Sequence, residues 1–566
     1  MNDTGSPFLA ISRRSTLAGL SGSALLAAVP SALLANPAAK DPVFRHGVAS
    51  GDPDQHSVVL WTRVSLPGLT RVEWELSATP EFIRIARRGT VLTGPDRDHT
   101  VKLVASGLAQ GSTWYFRFRA GGQTSPVGRA RTLPAGSLSR LGIALVSCSN
   151  FAFGHFNAYG AIARDAEVDF VLHTGDYIYE YGAQEWGAET ARQLGRVHEP
   201  AHEIVSLVDY RQRHAQYKTD PDLQAMHAAH TFMACWDDHE SANNPWTGGA
   251  QNHQPEREGE WAVRREASIR AYFEWMPVRE PEAGRSRAQF WRSYSFGDLA
   301  TLFTLETRHT ARAKQVDYTG WDQRIHGQDD AEKLLAETVG APGRTMLAPE
   351  LEGDLETALR RSVEADQPWR LIGNPMPIAR TRVPDVVSLG LLPDPATATG
   401  LSDDAKVLAF KGKWNLPFYP DTWDGYEWAR ERLYDLSHRA GADDLVFLTG
   451  DSHSFWANRL ADGSGRSAGL ELGTAGITSP GDFMGSGFGP ELSEKLDRAF
   501  EAHNPEVVWT DNMHQGYVRL NLTRTGGEAS FIAVASVTEK TDEISLLRRF
   551  AISRSAKGLD LIAPAG

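Results

Sequence analysis

Two hydrophobic patterns divide the chain. From about residue 42 to 135, apolar positions alternate with polar ones at the period of half-buried strands. Ser57–Val64 and Arg71–Ser77 read this way, and Trp114, Phe116 and Phe118 alternate with Tyr115, Arg117 and Arg119. The stretch predicts a small all-β domain over 41–135, and Leu108–Tyr115 resembles the corner of an immunoglobulin or fibronectin-III sandwich. Arg131–Arg140 carries Pro134, Gly136 and Ser137 and predicts a linker.

From residue 140 the pattern becomes short, continuous apolar runs separated by helical segments. Strands are predicted at Leu141–Cys148, Asp169–Thr174, Phe232–Trp236, Leu299–Leu305, Trp369–Ile372 and Leu445–Thr449. Ile269, Tyr272, Phe273 and Met276 fall at i, i+3, i+4 and i+7 and mark the buried face of a helix within Glu256–Met276. β pattern returns at Leu470–Thr478, Gly516–Leu522 and Ala529–Val537. The expectation is one α/β domain over 140–537, two facing sheets with helices outside. His309–Arg344 and Pro377–Lys413 are polar and rich in Pro and Gly, and predict insertions over a site. The tail, 538–566, predicts a helix around Ile544–Ile552 that covers the site, or a loose end.

Composition changes this picture little. The 566 residues carry 58 basic and 71 acidic side chains, a net charge of -13, with no basic cluster beyond the N-terminus, which argues against nucleic acid as the main partner. The first 40 residues are different. Arg13 and Arg14 precede a mildly apolar run that Gly19, Gly22 and Pro30 break, so it makes a poor membrane span. A twin arginine in this setting resembles a twin-arginine export signal, although Thr16 stands where a large apolar residue is usual. The expectation is a bacterial protein exported to the periplasm or medium, with the export machinery as a partner and a monomeric working form. The two cysteines, Cys148 and Cys235, read as a site position and a core position, with a single disulfide as the alternative.

The chemistry gathers at strand ends, where α/β sheets place their ligands. The first run ends at Cys148, the second at Gly175-Asp176 with Tyr179 three residues on, the third at Asp237-Asp238-His239-Glu240, and a later one at Asp451-Ser452-His453. One acidic strand end is commonplace, because Asp favours turns and caps. Four that deliver thiol, carboxylate, phenol and imidazole point to a metal site.

These residues resemble the PhoD family of alkaline phosphatases, within the calcineurin-like metallophosphoesterases. The resemblance rests on Ser147–Asn150, His173–Tyr181, Asp209-Tyr210-Arg211, Trp236–Glu240 with Asn243-Asn244, Trp423–Tyr426, Gly450–Trp456 and Ile477–Pro480. It implies a two-sheet αββα metallophosphoesterase sandwich behind the β domain, with one Fe3+ and one or two Ca2+. Asp176 would bridge the metals, with Tyr179 on iron and Cys148 in place of a first carboxylate. Asp238 would stand beside His239, while Asp451 and His453 close the set. Tyr210 is a rival for the phenolate, Asp237 is a ligand or a cap, and Asn374 is a substrate-binding amide although Pro375 departs from the family wording. Glu306 would support the ligands from behind, with Arg308 a structural partner. Asp176, Asp238 and His239 would carry catalysis, hydrolysing a small phosphate ester with a metal-bound hydroxide and His239 beside the leaving group. Phosphomonoesterase is the first reading, with phosphodiesterase or phospholipase-D-like activity the alternative. A calcium-binding adhesion protein is a third, which Cys148 and Tyr179 argue against because calcium has little use for thiolate or phenolate.

Overall fold

The computed structural model describes residues 42–318, 320–555 and 558–563. The predicted signal, with Arg13 and Arg14, lies outside them. Two large sheets dominate. The first has ten strands in the order 558–562, 544–555, 527–534, 516–522, 141–146, 170–173, 231–234, 48–51, 57–63, 100–106. Its centre is parallel: Leu141–Val146, Phe170–His173, Thr231–Ala234 and Val48–Gly51 run the same way. The second has seven strands in the order 293–296, 300–304, 369–373, 445–449, 467–473, 455–461, 507–511.

The continuous apolar runs exist because these strands are covered on both faces. Leu141, Ile143 and Leu145 share one core with Leu302, Leu371, Val446 and Leu448 of the second sheet. The alternate residues Ala144 and Val146 pack instead with Tyr159, Tyr210, Leu223 and Ile269, which lie on helices Asn157–Arg164, Leu207–Tyr217, Pro221–Ala229 and Trp261–Trp275. Leu351, Leu355 and Leu433, from helices Pro349–Glu364 and Glu427–Arg439, cover the second sheet with Phe447. None of the described helices is long and apolar enough to cross a membrane.

Two expectations meet a different outcome. The N-terminal strands form two facing sheets, but one of the two is not separate. Three of them, 48–51, 57–63 and 100–106, extend the first sheet, and only the other five form a separate sheet. Val58, Leu60 and Val101 of the extension face Val72, Phe116 and Phe118 of that five-stranded sheet across one core. The junction is close, since a Cβ on Gly51 would lie 2.5 Å from the Pro277 carbonyl and 2.8 Å from that of Phe232. The tail, in turn, is not a helix over the site. Ile544–Ser555 and Gly558–Ile562 form a hairpin on the far edge of the first sheet. Phe550 and Ile552 alternate inward beside Phe531, Leu559 and Leu561, and the hairpin pairs the edge that Gly527–Val534 would otherwise expose.

Candidate metal centre

Three of the four strand ends make the same local move. Cys148, Asp176, Asp451 and His453 all have left-handed backbones, with φ of 58°, 58°, 65° and 55°. A non-glycine residue pays for this conformation, and such strain collects where a side chain must point in one direction. Two glycines make the approach possible. A Cβ on Gly175 would fall 2.3 Å from the Cβ of Asp237, and one on Gly450 would fall 2.3 Å from the Ser147 hydroxyl.

The donor atoms converge in three linked groups, each within 4.8 Å: Cys148, Asp176 and His453; Asp176, Asp238 and His239; Asp237, Asp238 and Asp451. Asp176 and Asp238 each belong to two groups, so the three form one continuous site. The Tyr179 hydroxyl donates to Asp176 Oδ2 at 2.9 Å and lies 3.3 Å from His453 Nε2 and 2.8 Å from Ser479 Oγ. Its ring stacks on His239 with centroids 4.2 Å apart. Trp186 stacks on His453 at 5.6 Å and walls the site.

The charge balance is lopsided. Burial pushes Asp176 and Asp451 well above the usual carboxylate range and raises Asp237, and neighbouring carboxylates add to this. Burial likewise pushes the Cys148 thiol and the Tyr179 phenol up, helped by Asp176. Asp238 goes the other way: burial opposes its charge, but His239 and Arg308 hold it low. His239 is held protonated, against burial, by Asp238, Glu180 and Asp176. Asp237 Oδ2 and Asp238 Oδ1 are buried without a hydrogen-bond partner. Carboxylate and phenol donors in a buried cluster short of positive charge fit hard metal cations, with the thiol of Cys148 a softer donor on one side, and bound cations would reverse the pKa logic of every group named.

Several residues that frame the site were weakly legible or silent in the sequence. Arg308 is fully buried; its Nε bonds Asp237 at 2.6 Å and its Nη2 reaches Asp451 at 3.0 Å and Asp238 at 3.8 Å. Glu180 holds His239 Nδ1 at 2.6 Å. Glu240 accepts from the backbone N–H groups of Asp176, Tyr177 and Asp237. Glu306 accepts from the N–H groups of Arg308, His309 and Thr310, so it shapes the turn that carries the arginine. The partners of Glu180 and Arg308 lie 59 and 71 residues away, a distance no local motif spans.

Two expected site residues are elsewhere. The Tyr210 hydroxyl donates to the Ser241 carbonyl and accepts from Arg264 Nε at 3.1 Å, whereas the Tyr179 hydroxyl reaches Asp176 and His453. Asn374 is committed to the fold: its Nδ2 donates to Met376 O at 2.6 Å and its Oδ1 accepts from Trp423 Nε1 at 3.1 Å. Both cysteines are free and buried, so no disulfide joins Cys235 to Cys148.

Taken with comparisons against known proteins, fold and site define a hydrolase of phosphoric esters. More particularly, the chain belongs to the PhoD-like phosphatase family, whose model matches residues 143–531, while a model of the PhoD-like phosphatase N-terminal domain matches 28–134. Alkaline phosphatase D of Bacillus subtilis strain 168 is 32% identical over 541 residues, covering 91% of this chain and 82% of that one. A solved structure of PhoD is similar at a TM-score of 0.74, with 30% identity and 92% of each chain covered.

Proposed function

We propose that the protein is an exported, metal-dependent alkaline phosphatase that hydrolyses small phosphomonoesters, with one Fe3+ and one or two Ca2+. The observation that carries this reading is the sharing of Asp176 between a group with thiol, phenol and imidazole donors and a group with further carboxylates. Cys148, Asp176, Tyr179 and His453 would hold iron, and Asp237, Asp238 and Asp451, with Asp176, would hold calcium. When bound, the metals would supply Lewis acidity toward phosphoryl oxygens and lower the pKa of water.

The chain's own groups do the rest. Glu180 fixes His239 through Nδ1, which leaves Nε2 to give a proton to the leaving alkoxide. Arg308 ties Asp237 to Asp451 and so fixes the spacing of ligands from two different sheets. Ser479 orients the phenol of Tyr179, and Trp186 stacks over His453. The facing sheets with helices outside favour the two-sheet αββα reading, and the five-stranded sheet with its partner strands favours an immunoglobulin-like N-terminal module. Export rests on Arg13 and Arg14, and a lysine pair at those positions should retain the protein in the cytoplasm.

The test pairs metal analysis with initial rates on p-nitrophenyl phosphate and bis-p-nitrophenyl phosphate. Purified protein should contain iron and calcium, absorb visible light through phenolate-to-iron charge transfer, and turn over the monoester faster. A protein free of iron with full activity, or one faster on the diester, overturns the reading.

A further inference from the structure

Beside the donor groups lies a cavity of about 250 Å³ that belongs to none of them. Its outer wall is the insertion helix Asp403–Lys413, which presents Asp404, Val407, Leu408 and Lys411. Its inner wall is made by two segments that also reach the site. One runs from Ser479, which touches the Tyr179 hydroxyl, through Pro480, whose carbonyl lies 3.2 Å from His453 Nδ1, to the lining residues Asp482 and Phe483. The other is Phe418–Asp421, whose Asp421 carbonyl accepts from Arg312 and whose carboxylate acts on Asp451. The cavity therefore adjoins the site through Ser479–Pro480 and through Asp421.

The lining has a definite chemistry. Phe418, Tyr419, Phe483 and Phe488 supply aromatic rings. Phe418 lies 4.3 Å from Tyr419 and 5.6 Å from Phe483, centroid to centroid. Two carboxylates, Asp404 and Asp421, accompany one ammonium, Lys411, while the third acid, Asp482, accepts from the Tyr419 hydroxyl and is raised by burial to about 7. That ammonium is held to the wall: it donates to Phe418 O at 2.7 Å and lies over the rings of Tyr318 and Phe418. Asp421 makes no side-chain ion pair among the described residues. Aromatic faces beside an excess of carboxylate attract organic cations and repel anions.

We infer that this cavity is the leaving-group subsite and that it selects phosphate esters of alcohols bearing an ammonium group. The inference rests on the phosphatase reading for the phosphoryl half of the substrate, but the subsite has a test of its own.

The metal-loaded enzyme is assayed on phosphocholine and on its neutral isostere 3,3-dimethylbutyl phosphate, with glycerol phosphate as a polar reference. The cationic ester should lead its isostere by about tenfold in kcat/KM, within the range of one desolvated cation–π contact plus a carboxylate. Asp421→Asn and Phe488→Ala should each cut that ratio to about threefold or less. Calorimetric titration with free choline and with 3,3-dimethylbutanol reads the subsite without turnover. Preferential binding of choline together with no turnover of any ester would retain the subsite and overturn the phosphatase reading. Equal binding of the two alcohols, or a ratio of esters near one, overturns the subsite whatever the activity. A ratio that survives both substitutions also overturns it.

Discussion

On one side of the turn that follows Phe170–His173, Asp176 and Tyr179 face carboxylates and a thiol. On the other side, His173 and Tyr177 face Lys218, His227 and Tyr159. Tyr177 OH lies 2.8 Å from His227 Nε2 and accepts from Lys218 Nζ at 2.8 Å, while Tyr159 OH lies 2.8 Å from His173 Nε2. Lys218 is buried between the rings of Trp61 and Tyr177 and makes no ion pair among the described residues. Burying an unpaired charge of either sign is costly. The basic side sheds its charge: burial lowers Lys218 to about 7 and His173 to about 3. The acidic side sheds only part of its charge: burial raises Asp176, Asp237 and Asp451, while Asp238 and His239 hold each other ionised beside Arg308. One region is balanced by the chain alone, and the other offers donors that fit a cation from outside.

The comparison can be broken most directly at Asp176, which two donor groups share. Asp176→Asn should remove bound metal and lower turnover by at least about a thousandfold. Metal analysis and initial rates check this, and near-normal iron content would show that the acidic side does not depend on its shared ligand.

Lys218→Met tests the opposite side. Burial lowers the folded lysine to about 7, against 10.5 for a free lysine. The unfolded chain therefore holds the extra proton between those values, and wild-type stability rises with pH across that window. The methionine variant should be more stable than wild type near pH 7, by an amount on the order of a few kcal/mol, and should lose that advantage toward pH 10. Urea titrations at the two pH values measure it. An unchanging difference would mean that Lys218 keeps its charge.

Glu180→Gln sharpens the account of how His239 stays protonated. It should lower kcat about 10- to 100-fold, in the range seen when an orienting partner is lost. The alkaline limb of the kcat/KM profile should also move to lower pH, because one of the charges raising His239 is gone. A scaled-down profile with unmoved limbs would assign Glu180 a packing role only. The smallest effect is expected at Ser479→Ala, which removes one hydrogen bond from Tyr179. Activity should fall a few-fold, about what one neutral hydrogen bond contributes, and the iron–phenolate absorption band should shift. A band that stays put would place the phenol away from the metal.

Much of the site was legible because its donors close apolar runs. Cys148, Asp176, Asp237, Asp238, Asp451 and His453 all follow buried strands within a few residues, and sheet chemistry says where such residues go. Arg308 follows a strand too, yet its contacts with Asp237 and Asp451 depend on how two sheets face one another, which periodicity does not encode. Tyr210 misled for a related reason: on a helix, a buried phenol has other partners, and Arg264 and Ser241 take this one. The N-terminal alternation predicted strands correctly but not the sheet they join, since the pairing of Gly51 with Phe232 is set by long-range register. In the tail, Arg548, Arg549 and Arg554 obscure the inward alternation of Phe550 and Ile552. A short apolar run is ambiguous between helix and strand, and here an open sheet edge decided it.

The first sheet also governs when the enzyme can come into being. Leu141–Val146, which ends at Cys148, lies between Phe170–His173 and Gly516–Leu522. The residues of one neighbour are made soon after it, and those of the other only some hundreds of residues later. Pairings of such separation close slowly, because chain entropy must be spent before the contact repays it. Ser147 likewise bridges to Gly476, and His453 completes the group that Cys148 begins. A growing chain thus exposes its thiol and carboxylates long before it can enclose them. Under the metal-dependent reading, loading would follow synthesis of the segments up to Leu522 that enclose the donors.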